Sequence, residues 1–121
     1  MNHILIVDDD VNFRRSLIIQ LEFEGFEVKG YESCQQAFSF LNQNKEKSHF
    51  PDVIITDIRM PDMRGDEFVL KLQNEYPSIP LIMISAFDPP DPVRDFPFLR
   101  KPFKIMEMVD LIVSVGQNEN R

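Results

Sequence analysis

The sequence predicts an α/β fold, a single doubly wound parallel sheet of five strands with helices on both faces. Three observations predict it. Five short β-branched or apolar runs recur along the chain, and segments with helical apolar spacing fall between them. The repeated order strand, helix, strand is the one that builds a parallel sheet. With 121 residues, 43% of them hydrophobic, the chain has material for one core and one domain.

The strand runs are Ile4 to Val7, Glu27 to Tyr31, Val53 to Thr56, Leu81 to Ser85, and a weaker one at Phe98 to Arg100. Unbroken apolar character marks strands buried on both faces. Helical stripes follow at Phe13, Leu17, Ile18 and Leu21, then at Cys34, Ala37, Phe38 and Leu41, then at Phe68, Val69 and Leu72. Ile105, Met108, Val109, Ile112 and Val115 give a closing helix, so the domain is expected over 1–116 with a polar tail or linker start at 117–121. Gly25 stops the first helix, Pro51 precedes the third strand, and Pro77 and Pro80 bracket the turn into the fourth. Residues 86–97 break the rhythm. They hold Pro89, Pro90, Pro92 and Pro97, and a proline inside a helix costs about 3 kcal/mol. The fourth helix, between the fourth and fifth strands, is therefore expected to be missing or reduced to about a turn.

Composition narrows the function. A formal charge of -7 argues against electrostatic binding of nucleic acid or anionic membrane by this domain. No run approaches a membrane span, and the start of the chain is not a signal peptide, which leads us to expect a cytoplasmic protein. The single Cys34 has no partner for an internal disulfide and reads as a small helix-face residue.

In an open parallel sheet, ligands bind outside the carboxyl ends of the strands. Here the first strand ends in Asp8, Asp9 and Asp10, the third in Asp57 and the fourth in Ser85, while Lys101 and Pro102 follow the fifth. Two carboxylates about 4 Å apart repel by about 4 kcal/mol at an effective dielectric near 20, so such a cluster needs a cation. Oxygen ligands without nearby His or Cys select a hard ion, and room for water and phosphate oxygens favours Mg²⁺. His3 lies at the other end of the first strand and is discounted. Beside a divalent ion a carboxylate can act as a nucleophile and form an aspartyl phosphate. Lys101 and Ser85 would then stabilise the phosphoryl oxygens. Asp10 has a plainer reading as the cap of the first helix, but capping does not account for three successive aspartates or for Asp57.

These residues resemble the receiver domains of two-component response regulators from about Ile4 to Val115. The resemblance is carried by Ile4-Leu5-Ile6-Val7-Asp8-Asp9-Asp10, by Asp52 to Pro61 with Gly65 after it, by Leu81 to Ala86, and by Lys101-Pro102-Phe103. It implies the flavodoxin-like strand order 2-1-3-4-5 and the phosphoacceptor Asp57. It also implies an Mg²⁺ site formed by Asp9, by Asp8 largely through water, by Asp57 and by the backbone carbonyl of Arg59. Phosphoryl contacts would come from Ser85, the Ala86 backbone amide and Lys101, with a cis peptide before Pro102. Phe98 takes the place of the family's switching aromatic, and an ordinary core phenylalanine is the competing reading of it.

The resemblance further implies a sensor histidine kinase or phosphotransfer protein as donor. The fourth helix normally belongs to the family's signalling surface, so its loss puts the usual output geometry in doubt. A second copy of the chain or an output partner is expected at the 86–100 face, where Phe87 and Phe96 could otherwise fill the gap. Three alternatives remain open: a degenerate receiver acting as an unphosphorylated interaction module, a haloacid dehalogenase-like phosphatase, and a flavodoxin-like cofactor carrier. The phosphatase would want an aspartate where Arg59 stands, and the carrier would not place three carboxylates after its first strand.

Overall fold

The computed structural model describes residues 3–47 and 50–119, the last three by backbone alone. Its elements are β1 His3–Val7, α1 Val11–Phe23, β2 Glu27–Tyr31, α2 Cys34–Gln43, β3 Val53–Asp57, α3 Gly65–Glu75, β4 Leu81–Ser85, β5 Phe98–Arg100 and α4 Ile105–Glu119. The strands pair in the order β2-β1-β3-β4-β5, all parallel.

Alternation along the central strands explains why their sequences are apolar throughout. Leu5, Val7, Ile54, Leu81 and Met83 face one core, with Cys34, Ala37 and Leu41 of α2 and Phe68, Val69 and Leu72 of α3. Their neighbours Ile4, Ile6, Val53, Ile55, Ile82 and Ile84 face the other core, with Leu17 and Leu21 of α1 and Met108, Ile112 and Val115 of α4. The expectation of burial on both faces fails at β2. It is an edge strand, and its Glu27 and Lys29 are exposed.

Local chemistry starts and stops the helices. The Asp10 carboxylate accepts from the Phe13 amide at 3.0 Å and the Ser33 hydroxyl accepts from the Gln36 amide at 3.1 Å, capping α1 and α2. Gly25, at φ 101°, takes the left-handed position that ends α1. At Gly65 the constraint is space instead, because a Cβ there would lie 2.0 Å from the Ile58 carbonyl oxygen.

The β4–β5 crossover holds a single 3-10 turn, Asp91–Val93, and no α-helix. Val93 is buried and Phe96 packs beside it against the α2–α3 side of the sheet, so these residues cover part of what a helix would cover. Phe87, the other residue the sequence offers for that task, stays 53% exposed. Arg100 clasps the crossover, donating from Nη1 to the Ala86 carbonyl at 3.1 Å and pairing with Asp88. At the end of the chain, α4 runs through Glu119, so 117–119 continue the helix instead of opening the expected tail, while 120 and 121 lie outside the described residues. Among the described residues no helix is long and apolar enough to cross a membrane.

Candidate functional site

The turns after β1, β3, β4 and β5 meet at the carboxyl edge of the sheet. Asp8, Asp9 and Asp57 each bring a carboxylate oxygen within 4.8 Å of the others. Asp8 is fully buried, Asp57 nearly so, and Asp9 is exposed. Lys101 reaches into this cluster from the turn after β5. Its ammonium donates to Asp57 Oδ2 at 2.7 Å and to Asp8 Oδ2 at 2.8 Å, and it lies 4.0 Å from the centre of the Phe13 ring. The peptide joining Lys101 to Pro102 is cis.

Backbone amides orient the two buried carboxylates. Asp8 Oδ1 accepts from the Asp10 amide at 2.9 Å, and Asp57 Oδ1 from the Arg59 amide at 2.7 Å. Ser85 is buried one strand away from Asp57, and its Oγ accepts from the Phe87 amide at 3.0 Å, which leaves its own proton available to donate. The Ser85 carbonyl accepts from the Lys101 amide at 2.8 Å, binding the two residues' turns together. Ala86 is exposed beside Ser85. Phe98 is half-buried against the α2–α3 core and pairs with Met83 across β4 and β5.

Burial pushes the Asp8 carboxyl above its ordinary pKa, although the hydrogen bonds from Lys101 and the Asp10 amide oppose the rise. Burial works to lower Lys101, but hydrogen bonds to Asp57 and Asp8 win and hold its ammonium above the usual range. Three carboxylates against one ammonium leave two negative charges for a divalent ion to balance. A small hard ion bound at about 2.1 Å separates its oxygens by roughly 3 to 4 Å, and an all-oxygen donor set gathered within 4.8 Å suits such an ion. Asp10 caps α1 and takes no part in the cluster. An open groove of about 570 Å³ runs past Asp9, Arg59, Gly65 and Pro90 and gives solvent access to this edge. A hollow of about 560 Å³ at the opposite, amino end of β1 and β2 is lined by His3, Phe26 and Lys29 and lies away from the acidic cluster.

Several contacts around the site have no local signature in the sequence. The Arg59 guanidinium lies 4.0 Å from the centre of the Phe87 ring. Arg64 pairs with buried Asp66 at 2.7 Å, and Asp62 accepts from the Cys34 and Gln35 amides of α2. The Arg14 guanidinium donates to the Asp8 carbonyl at 2.6 Å.

Comparison with known proteins places this architecture. The family model of the response regulator receiver domain matches residues 4–113. The chain belongs to this family. It is a receiver domain of two-component response regulators, a signalling domain, and the phosphatase and cofactor-carrier alternatives are set aside. The DNA-binding transcriptional regulator NtrC of Proteus hauseri is 32% identical over 116 residues, which are 91% of this chain and 24% of that protein. The chain thus spans about a quarter of the length of that relative. Among solved structures, chemotaxis protein CheY4 of Vibrio cholerae aligns with a TM-score of 0.80 at 27% identity, over 95% of this chain and 98% of that one. A CheY-like receiver domain protein of Methanospirillum hungatei shares the fold with a TM-score of 0.86 at 24% identity, over 99% of this chain and 97% of its own.

Proposed function

We propose that Asp57 accepts the phosphoryl group through one carboxylate oxygen. Attack on phosphorus forms the acyl phosphate bond while the donor's bond to phosphorus breaks, and the leaving group departs with that electron pair. The observation that carries this reading is the Lys101 ammonium, hydrogen-bonded at once to Asp57 and Asp8. Lys101 holds a positive charge where the phosphoryl oxygens would gather, and the Ser85 hydroxyl and Ala86 amide stand on the adjoining turn to contact them.

Mg²⁺ is the ion that suits the carboxylate cluster. Asp9, Asp57 and the Arg59 carbonyl would hold it directly, with Asp8 acting largely through water. When bound it supplies charge neutralisation and aligns donor and acceptor. The donor is a sensor histidine kinase or a phosphotransfer protein, and the setting is the cytoplasm. Phosphorylation adds about -1.5 to -2 charges at Asp57. Ser85 then moves toward the phosphoryl group, with Phe98 beside it as the switching aromatic, and the change reaches a second copy or an output partner at the 86–100 face.

The test is fluorine NMR with beryllofluoride, a phosphoryl mimic, in the presence of Mg²⁺. Bound-fluoride resonances are expected with wild type and not with Asp57→Asn. Their absence in folded wild type would leave the chain a degenerate receiver that acts as an unphosphorylated interaction module.

A further inference from the structure

The turn from β3 to α3 is tied to a helix that no phosphoryl or metal ligand belongs to. Helix α2 meets two of its needs locally, since Ser33 Oγ accepts from the Gln36 amide and the Ser33 carbonyl from the Ala37 amide at 3.2 Å. Its first two amides are left over. Both go to Asp62, 27 or 28 residues away, with Cys34 N–H donating to Oδ1 at 3.2 Å and Gln35 N–H to Oδ2 at 3.1 Å. One carboxylate thus spans two helix donors, a charge-assisted arrangement at the positive end of the helix.

The other pins of this turn include several within the turn itself. Arg59 N–H holds Asp57, Arg59 and Arg64 bridge each other, and Arg64 pairs with Asp66. Asp62 anchors the tip of the turn to a separate element.

We infer that Asp62 is a positioning residue for the ion site, holding the turn so that Arg59 presents its amide to Asp57 and its carbonyl to the metal. The inference rests on the magnesium reading of Asp9, Asp57 and Arg59 given above. Coupling of this kind is reciprocal. An ion that orders the turn must also tighten the contact at the Cys34 and Gln35 amides.

The test compares wild type, Asp62→Ala and Ser33→Ala. The serine variant removes a cap of the same helix without touching the turn, so it isolates the cost of merely loosening α2. Magnesium affinity is measured by NMR titration, and exchange of the Cys34 and Gln35 amides is followed with and without Mg²⁺. Asp62→Ala is expected to weaken Mg²⁺ binding about tenfold, as loss of an outer support to a metal site commonly does. Ser33→Ala should lower the unfolding midpoint comparably and change the magnesium affinity less than about twofold. In wild type Mg²⁺ should slow exchange at both amides, and in Asp62→Ala that slowing should vanish. If the alanine variant does not fold, Asp62→Asn keeps one acceptor oxygen and should show an intermediate loss. Unchanged magnesium affinity in a folded Asp62 variant, beside normal binding by wild type, would overturn this inference alone. Failure of wild type to bind Mg²⁺ would overturn the ion reading and the inference together.

Discussion

Replacing Lys101 by methionine keeps an apolar stem against Phe13 and removes the ammonium that pairs with both Asp8 and Asp57 and offsets their mutual repulsion. The carboxylate oxygens lie within 4.8 Å, where two full charges repel by about 3.5 kcal/mol at an effective dielectric near 20. Part of this is relieved because Asp8, already pushed up by burial, takes a proton more readily once the ammonium is gone. The expected loss of stability without Mg²⁺ is thus about 2–3 kcal/mol at pH 7.

The pH dependence has a definite sign. In the folded protein Asp8 lies above its unfolded value, so its penalty is absent at low pH and grows as pH rises through the folded value. Without Lys101 that folded value rises further, and the titration of Asp8 moves to higher pH. Lys101 lies above its unfolded value in wild type. Its contribution is fully present below the ordinary lysine pKa and is lost only as pH rises through the folded one. The deficit of Lys101→Met should therefore be smaller at pH 5 than at pH 7. Urea unfolding in a metal chelator, followed by circular dichroism at both pH values, measures it. An equal deficit at the two pH values, or none at pH 7, would refute the electrostatic account.

Asp8→Asn keeps an oxygen for the Asp10 amide and removes a buried charge, so it should raise the thermal midpoint of the metal-free protein at pH 7. The gain should fade as pH falls through the raised Asp8 pKa, and a midpoint below that of wild type at pH 7 would contradict it. Gly65→Ala drives a Cβ to 2.0 Å from the Ile58 carbonyl oxygen, and backbone must move. A cost of about 2–3 kcal/mol is expected in chemical denaturation, and a value near zero would show that the turn yields freely. Arg100→Ala opens the clasp on Ala86 and Asp88. Protease cleavage within 86–97 should accelerate while the global unfolding midpoint barely changes, since both partners are largely exposed; unchanged cleavage would show that the clasp does not hold the crossover.

Much of this architecture was legible because it rests on local pattern. Ile4 to Val7, Val53 to Thr56 and Leu81 to Ser85 are apolar on both sides, and strands of that kind sit between two helical layers. Four prolines in 86–97 were enough to predict a crossover without a full helix, because proline acts on its own backbone. β2 misled because Val28 and Tyr31 suggest a strand without saying whether it is central or at an edge. The acidic cluster was legible as a set because strand ends converge in a parallel sheet. The supports around it were not. Asp62 acts on amides 27 and 28 residues away, and Arg59 meets Phe87 across two turns, so their roles depend on tertiary geometry that no spacing encodes. The helical course of 117–119 escaped notice because the apolar stripe stops at Val115 while the backbone continues.

Asp57 remains the centre of the account. The decisive measurement is the intact mass of wild type and Asp57→Asn after incubation with acetyl phosphate, with and without Mg²⁺. One phosphoryl increment is expected on wild type, only when Mg²⁺ is present, and none on the variant. An increment that persists in folded Asp57→Asn, or fails to form on wild type with Mg²⁺, would contradict the assignment of Asp57 as phosphoacceptor.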